Sequence, residues 1–190
     1  MGTHGRTGVG RVVLGSVTEQ MLRESPVPVM TLHERTNFDP DIDSLLVPTD
    51  GSDTAEAAVD HGVDLALATD ATVHVVTVVD VGAIAGSFNV GDITEKLQTA
   101  SNQAVEAAVQ RAEDAGVSSV ESTTLVGVPD RSICDYADEH ETSAIVMGTH
   151  GRTGVERFFL GSVTERVVRP STVPVIGTKA TAPKKSTDTM

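Results

Sequence analysis

Apolar residues in the central part of the chain alternate between two spacings. Ser44-Leu-Leu-Val-Pro-Thr49 is a short apolar run that ends at a turn, Asp50-Gly51-Ser52. A run of that length bounded by turn residues predicts a buried strand. Asp53, followed three residues later by Glu56, resembles a capping box and predicts a helix start. Val59, Val63, Ala66 and Leu67 then share one helical face. The β-branched stretch 72–79 predicts a second strand. Residues 81–94 hold three glycines and read as a loop that is long for a strand-to-helix connection. Residues 95–115 predict a long helix with Leu97, Ala100, Ala104 and Ala108 inward and Gly116 as its terminating glycine. The alternation continues with a strand at 120–126, a helix at 130–140 (Ile133 and Ala137 inward) and a strand at 143–148. A helix at 161–168 follows, with Leu160, Val163 and Val167 on one face, and then a strand at 173–178. Five strands alternating with helices predict right-handed βαβ units. The expected fold is α/β, a Rossmann-like doubly wound parallel sheet with helices on both faces.

A repeat changes this picture. Met1-Gly-Thr-His-Gly-Arg-Thr-Gly-Val9 recurs as Met147-Gly-Thr-His-Gly-Arg-Thr-Gly-Val155, and the match runs without a gap to Val27-Pro28-Val29 against Val173-Pro174-Val175. Of 29 aligned positions 21 are identical, which marks a duplication. Only the second copy is preceded by the patterned sequence described above. The expected organisation is therefore a partial repeat at 1–33, a charged linker at 34–43, a complete domain at 44–178 and a disordered polar tail at 179–190. The repeat suggests that the stretch from Val27 to Leu32 pairs within the chain with the last strand, covering an edge that would otherwise be exposed.

In doubly wound sheets ligands sit beyond the carboxyl ends of the strands where the winding reverses. The two turns marked by glycine, Asp50-Gly51-Ser52 and Gly148-Thr-His-Gly151, follow the first and fourth strands of the complete domain, which the commonest strand order makes neighbours. Gly148, Gly151, Gly154 and Gly161 permit close backbone approach to a ligand, and Gly161-Ser162-Val163 opens a helix whose amides suit an anion. Charge agrees locally. From Met147 to Arg169 four arginines oppose two glutamates, whereas the whole chain carries −13. This pattern points to phosphate. Neither a Walker loop nor a dinucleotide fingerprint is present.

Composition sets limits. Twenty-seven acids against fourteen bases disfavour nucleic acid as a partner. Only four bases are lysines, and this scarcity, with abundant Asp, Thr and Val, favours a halophilic origin over an ordinary acidic protein. No apolar run spans a bilayer and no signal peptide opens the chain, so the expectation is a cytoplasmic protein without membrane contact. Cys134 is the single cysteine, which excludes an internal disulfide, and it reads as a structural thiol. The six histidines show no metal spacing, and only His150 falls at the crevice. No Ser-His-Asp or paired-carboxylate set can be assembled, so neither catalytic nor metal-binding residues are assigned.

The sequence resembles the universal stress protein family. The residues that carry the resemblance are Val47-Pro48-Thr49-Asp50-Gly51-Ser52, Gly127-Val128-Pro129 and Gly148-x2-Gly151-x9-Gly161-Ser162, the last similar to the family's ATP-binding signature. The resemblance implies a five-stranded parallel sheet in the order 3-2-1-4-5, and ATP, with or without Mg²⁺, as ligand. By carry-over Pro48, Asp50 and Val78 line the adenosine pocket, with Val78 fixed to within one residue. Gly127 and Met147 lie near the ribose. Gly148, Gly151, Gly161, Ser162 and Val163 cradle the phosphates, with His150 and Arg152 nearby. The family also implies a homodimer formed through the last strand, Val173 to Thr178, for which intrachain pairing with Val27 to Leu32 is the alternative. The resulting expectation is a stress-response regulator acting through nucleotide occupancy and partner contacts, with slow ATP hydrolysis at most. The alternatives are a non-nucleotide dimeric scaffold and an adenylylating enzyme of the adenine-nucleotide α/β group.

Overall fold

The computed structural model describes residues 14–80, 82, 90–150 and 160–180. In chain order the elements are α1 (Ser16–Glu24), β1 (Val29–Thr31), β2 (Ser44–Pro48), α2 (Asp53–Thr69), β3 (Thr72–Asp80), α3 (Val90–Ala115), β4 (Val120–Gly127), α4 (Pro129–Glu139), β5 (Ala144–Gly148), α5 (Ser162–Val168) and β6 (Val175–Thr178). They build an α/β fold around one sheet in the order β1-β6-β5-β2-β3-β4. The pairs β2–β3, β3–β4, β2–β5 and β5–β6 are parallel.

The five strands of the complete domain take the expected order, but the sheet has six strands rather than five. The extra strand is β1, contributed by the N-terminal copy and antiparallel to β6. A Rossmann-like sheet leaves its outer strand with unpaired backbone groups, and β1 covers them. Val29 faces Gly177, Met30 faces Ile176 and Thr31 faces Val175. In the repeat, Val29, Met30 and Thr31 are the counterparts of Val175, Ile176 and Gly177. Exchanging the two copies therefore leaves the pairing unchanged, and a pseudo-two-fold axis passes through the Met30–Ile176 pair. This is the geometry of an isologous contact, made here within one chain.

The central strands are buried on both faces, as parallel strands between helical layers must be. Leu45, Val47, Val73, Val75 and Val146 pack with Val59, Val63 and Ala66 of α2 and with Val105 and Ala108 of α3. On the other face Leu46, Val76, Ile145 and Met147 pack with Ile133 and Ala137 of α4, Val167 and Val168 of α5, and Leu22 of α1. Gly62 brings α2 against β2, since a Cβ there would lie 2.8 Å from Val47 Cγ2. Gly177 does the same for α1, since a Cβ there would lie 2.6 Å from Leu22 Cδ2.

Several local expectations need correction. The N-cap of α2 is Ser52, whose Oγ accepts from the Ala55 amide at 3.3 Å; Asp53 is already the first helical residue. Leu67 is half exposed, whereas Val59, Val63 and Ala66 are buried as expected. Among the described side chains of α3 the buried stripe is Ser101, Val105, Ala108 and Ala112; Ala108 is inward as expected, while Ala100 and Ala104 are only half-buried. Alanine is small enough to be tolerated at several angles, so Val105 fixes the rotation of the helix. α3 begins at Val90, inside the stretch expected to be a loop. Gly116 does end it, with φ +94°. Residues 1–13 of the partial repeat, residues 83–89 of the expected loop, the side chain of Leu97, Gly154 and the tail from 181 onward lie outside the described residues.

A polar cluster sits between β3 and α4. His74 is almost fully buried, and its Nδ1 lies 3.1 Å from the Tyr136 hydroxyl and 3.6 Å from Glu121 Oε2 on β4. Tyr136 stacks on His140 with ring centroids 3.8 Å apart. Burial pushes the His74 pKa below its ordinary value and nearby His140 pushes it the same way, against Glu121, which acts to raise it. Burial likewise raises the Tyr136 hydroxyl.

Two predictions follow from this packing. Gly62→Ala should lower unfolding free energy by about 1–3 kcal/mol in urea titration, because fully buried, β-branched Val47 cannot move aside. The unfolded chain binds a proton that folded His74 refuses, so stability is complete at high pH and falls as pH drops through ~6.5. The urea midpoint should decline from pH ~7.5 to ~5.5, and His74→Gln should flatten that decline. Equal slopes in the two proteins would clear the cluster of the effect.

Candidate functional site

The winding reverses between β2 and β5. The ladder joining them runs through Leu45–Ala144 and Leu46–Ile145 and stops there. Beyond it Pro48 offers no amide to continue the ladder, and the carboxyl ends of the two strands lead into separate turns. A crevice of about 320 Å³ opens at this point.

Each wall has a local cause. After β2, the Asp50 carboxylate accepts from the Ser52 amide at 3.0 Å and the Thr49 hydroxyl accepts from the Gly51 amide at 3.2 Å. These bonds shape the turn in which Gly51 takes φ +74°. After β5, the Thr164 hydroxyl donates to the Gly148 carbonyl at 2.8 Å and the Gly161 amide donates to the Thr149 carbonyl at 2.7 Å, which fastens α5 to the strand end. The Thr54 hydroxyl on α2 donates to the His150 carbonyl, linking the two turns directly.

Gly148 is required by packing as well as by any ligand. A Cβ there would lie 2.9 Å from the Thr54 backbone carbon and carbonyl oxygen, so only glycine lets β5 end against the first turn of α2. A Cβ on Gly161 would lie 3.1 Å from the Thr149 carbonyl.

Of the residues assigned from sequence, the structure gathers Pro48, Asp50 and Val78 on one side of the crevice. Met147, Gly148, His150, Gly161, Ser162 and Val163 line the other. Gly127 is not among the lining residues. It ends β4, and its missing side chain makes room for Ser132, whose Oγ would lie 2.6 Å from a Cβ. Gly151 and Arg152 lie outside the described residues.

Sequence reasoning missed Thr49, Ala55, Thr77, Pro129, Ile133 and Thr164, which also line the crevice. Thr77 neighbours Val78, so the one-residue tolerance in that assignment contained it. Pro129 and Ile133 arrive on the first turns of α4, and the signal for them was the nearby Gly127-Val128-Pro129. Ala55 had no signal of its own; it reaches the crevice because Gly148 draws α2 in.

Chemically, the crevice offers an apolar floor, threonine hydroxyls and the first-turn amides of α5, which lack partners within the helix. Cys134 is half-buried on α4, and its thiol is pushed up to about 12 by burial and then by Asp138, Asp130 and Asp135, so it is not a nucleophile. Among the described residues, no group of three or more His, Cys, Asp or Glu is placed to hold a metal, and no helix is long and apolar enough to cross a membrane.

Comparison with known proteins agrees with this architecture. A universal stress protein of Methanocaldococcus jannaschii is 38% identical over 144 residues, 74% of this chain and 83% of that protein. A solved universal stress protein from Archaeoglobus fulgidus superposes with a TM-score of 0.68 at 25% identity, covering 94% of this chain and 60% of that one. A universal stress protein solved in complex with cAMP superposes with a TM-score of 0.57 at 28% identity, covering 72% of this chain and 97% of that one. The sequence profile of the Universal stress protein family matches residues 1–33 and again 42–179. With the strand order, the crevice at the switch point and both profile matches in agreement, the chain belongs to the universal stress protein family.

Proposed function

We propose that the crevice binds an adenine nucleotide, ATP with or without Mg²⁺, and that the protein acts as a stress-response regulator whose state depends on occupancy. The observation that carries this reading is the position of the crevice. It lies at the winding reversal, where Pro48, Asp50 and Val78 face Met147, Gly148, Gly161 and Ser162 across about 320 Å³. That volume lies within the range of small-molecule sites, which starts at ~300 Å³. A relative solved with cAMP supports an adenosine-containing ligand.

The residues present fit the group. Val78, Ile133 and Pro129 give an apolar surface for a base, and the Thr77 and Thr49 hydroxyls give polar partners nearby. Gly148 and Gly161 carry no side chain to occupy the phosphate side. Ser162, exposed at the start of α5, adds a hydroxyl there. When bound, ATP supplies a polyanion whose presence or absence changes this surface. The protein's residues would hold and orient it. Slow turnover at most is part of this reading: among the described residues no side-chain set is arranged to drive its hydrolysis.

The partner contact is the second half of this reading. Segment 14–32 occupies at β6 the place that a second subunit's β6 would take in a two-fold dimer. The chain is then self-sufficient at that edge, and its regulation does not require a homodimer through residues 173–178.

Nucleotide binding is tested with Ser162→Glu. A glutamate in the first turn favours the helix but repels phosphate, so ATP affinity by calorimetry should fall at least ~10-fold with no loss of thermal stability. Equal affinity would remove Ser162 from the phosphate side, and an inability of the unsubstituted chain to take up ATP would favour a nucleotide-free scaffold. The edge contact is tested by light scattering. The full chain should be monomeric and a chain lacking residues 1–41 dimeric. A truncated chain that stays monomeric would show that β6 does not take a second copy.

A further inference from the structure

The His74 cluster and the crevice are built on the same two elements. On β3, His74, Val76 and Val78 occupy alternate positions and face the same side of the sheet. Val76 is fully buried and Val78 lines the crevice. His74 lies four residues before Val78, about 13 Å along the strand. On α4 the buried residues Ile133, Tyr136 and Ala137 form one stripe. Tyr136 belongs to the cluster, and Ile133, less than one turn away, lines the crevice together with Pro129. Val76, Val78, Ile133 and Tyr136 pack in one core. A change at His74 therefore has a packed route to the crevice wall along both the strand and the helix.

The cluster surrounds one buried ring. From β4, Glu121 stands opposite His74 in the register, with Oε2 3.6 Å from Nδ1. From β2 the register partner is Leu46, which brings no charge. From α4 come the Tyr136 hydroxyl, 3.1 Å from the same Nδ1, and the His140 ring, 5.7 Å away between centroids. The neutral ring can accept the Tyr136 O–H at Nδ1, which seats α4 on the strand. A protonated ring has an N–H at that position and no lone pair, so it can no longer accept from Tyr136. Of the facing groups, Glu121 attracts the new charge and His140 opposes it. The imidazolium is relieved by turning to the Glu121 carboxylate, away from Tyr136.

α4 is fastened unequally at its two ends. Beyond Tyr136 the Thr172 hydroxyl donates to Asp138, and the Thr142 amide donates to the Ala137 carbonyl. At the crevice end Val128 caps the helix without a side-chain hydrogen bond, and Arg166 comes no closer to Asp130 than 3.8 Å. Loss of the Tyr136 contact is therefore felt at the crevice end.

We propose that this cluster makes occupancy of the crevice depend on pH: a proton on His74 breaks its bond to Tyr136, unseats the Ile133 end of α4 and weakens the hold on nucleotide. This linkage rests on the nucleotide reading of the crevice. Burial holds the His74 pKa below its ordinary ~6.5, so the ring is neutral near pH 7 and affinity is full there. Affinity falls as acid charges the ring, and by reciprocity bound nucleotide opposes the proton by the same factor.

The test uses two readouts on the full chain. ATP affinity is measured by calorimetry from pH ~7.5 to ~5.5 in the unsubstituted chain and in His74→Gln. ATP titrates in this range as well, so the quantity compared is the ratio of the two affinities, which should change at least ~5-fold. Without ligand, the Ile133 methyl resonances should shift with the same midpoint as the His74 ring. In Tyr136→Phe, which keeps the stacked ring and loses the hydroxyl, they should not follow it. A constant ratio with ATP bound overturns the linkage, and so does an Ile133 methyl that ignores the His74 titration. If ATP binds at no pH while Ile133 follows His74, the nucleotide reading fails and the proton-linked wall stands.

Discussion

The short ladder between β2 and β5 governs much of the molecule. These two strands are joined through two residue pairs and then lead apart into separate turns. Everything that makes a site depends on that parting. It leaves room for a crevice at the sheet's upper edge, and it puts the Thr49–Ser52 turn and the β5 turn on opposite walls. It also forces the first turn of α2 close to the end of β5, where Gly148 is the only residue that fits. The hydrogen bond from Thr54 to the His150 carbonyl then ties the two walls to each other. The crevice is therefore framed largely by main chain and short side chains at the ends of these two strands.

Much of this was legible in sequence because the signals were local. Short β-branched runs between helical stretches gave the parallel strands, and the glycine turns gave the switch point. The missed details share a different physical origin. The rotation of α3 depended on which small residue met the sheet, and alanines at 100, 104 and 108 do not discriminate. The cap of α2 fell on Ser52 rather than Asp53 because both residue types can cap, and the preceding turn decided between them. Ala55 lines the crevice only through an approach permitted by a glycine nearly a hundred residues away. Such contacts are set by tertiary packing, which no local pattern contains.

The repeat separates these two levels within one polypeptide. The two copies make a helix, a serine turn and a strand at corresponding positions, so local structure follows local sequence. Burial does not follow it. Met21 and Val167 occupy equivalent helical positions and have opposite exposure because one has α4 above it and the other does not. Hydrophobic periodicity reports the face a residue belongs to, and the rest of the fold decides whether that face is met.

The pairing of β1 with β6 has a further consequence. Contacts between separate subunits weaken on dilution, whereas a contact between two segments of one chain does not. Residues 32–43 tether β1 to the domain, and a tether of that length gives an effective concentration on the order of millimolar. The edge of the sheet therefore stays covered whether the cell holds few copies or many.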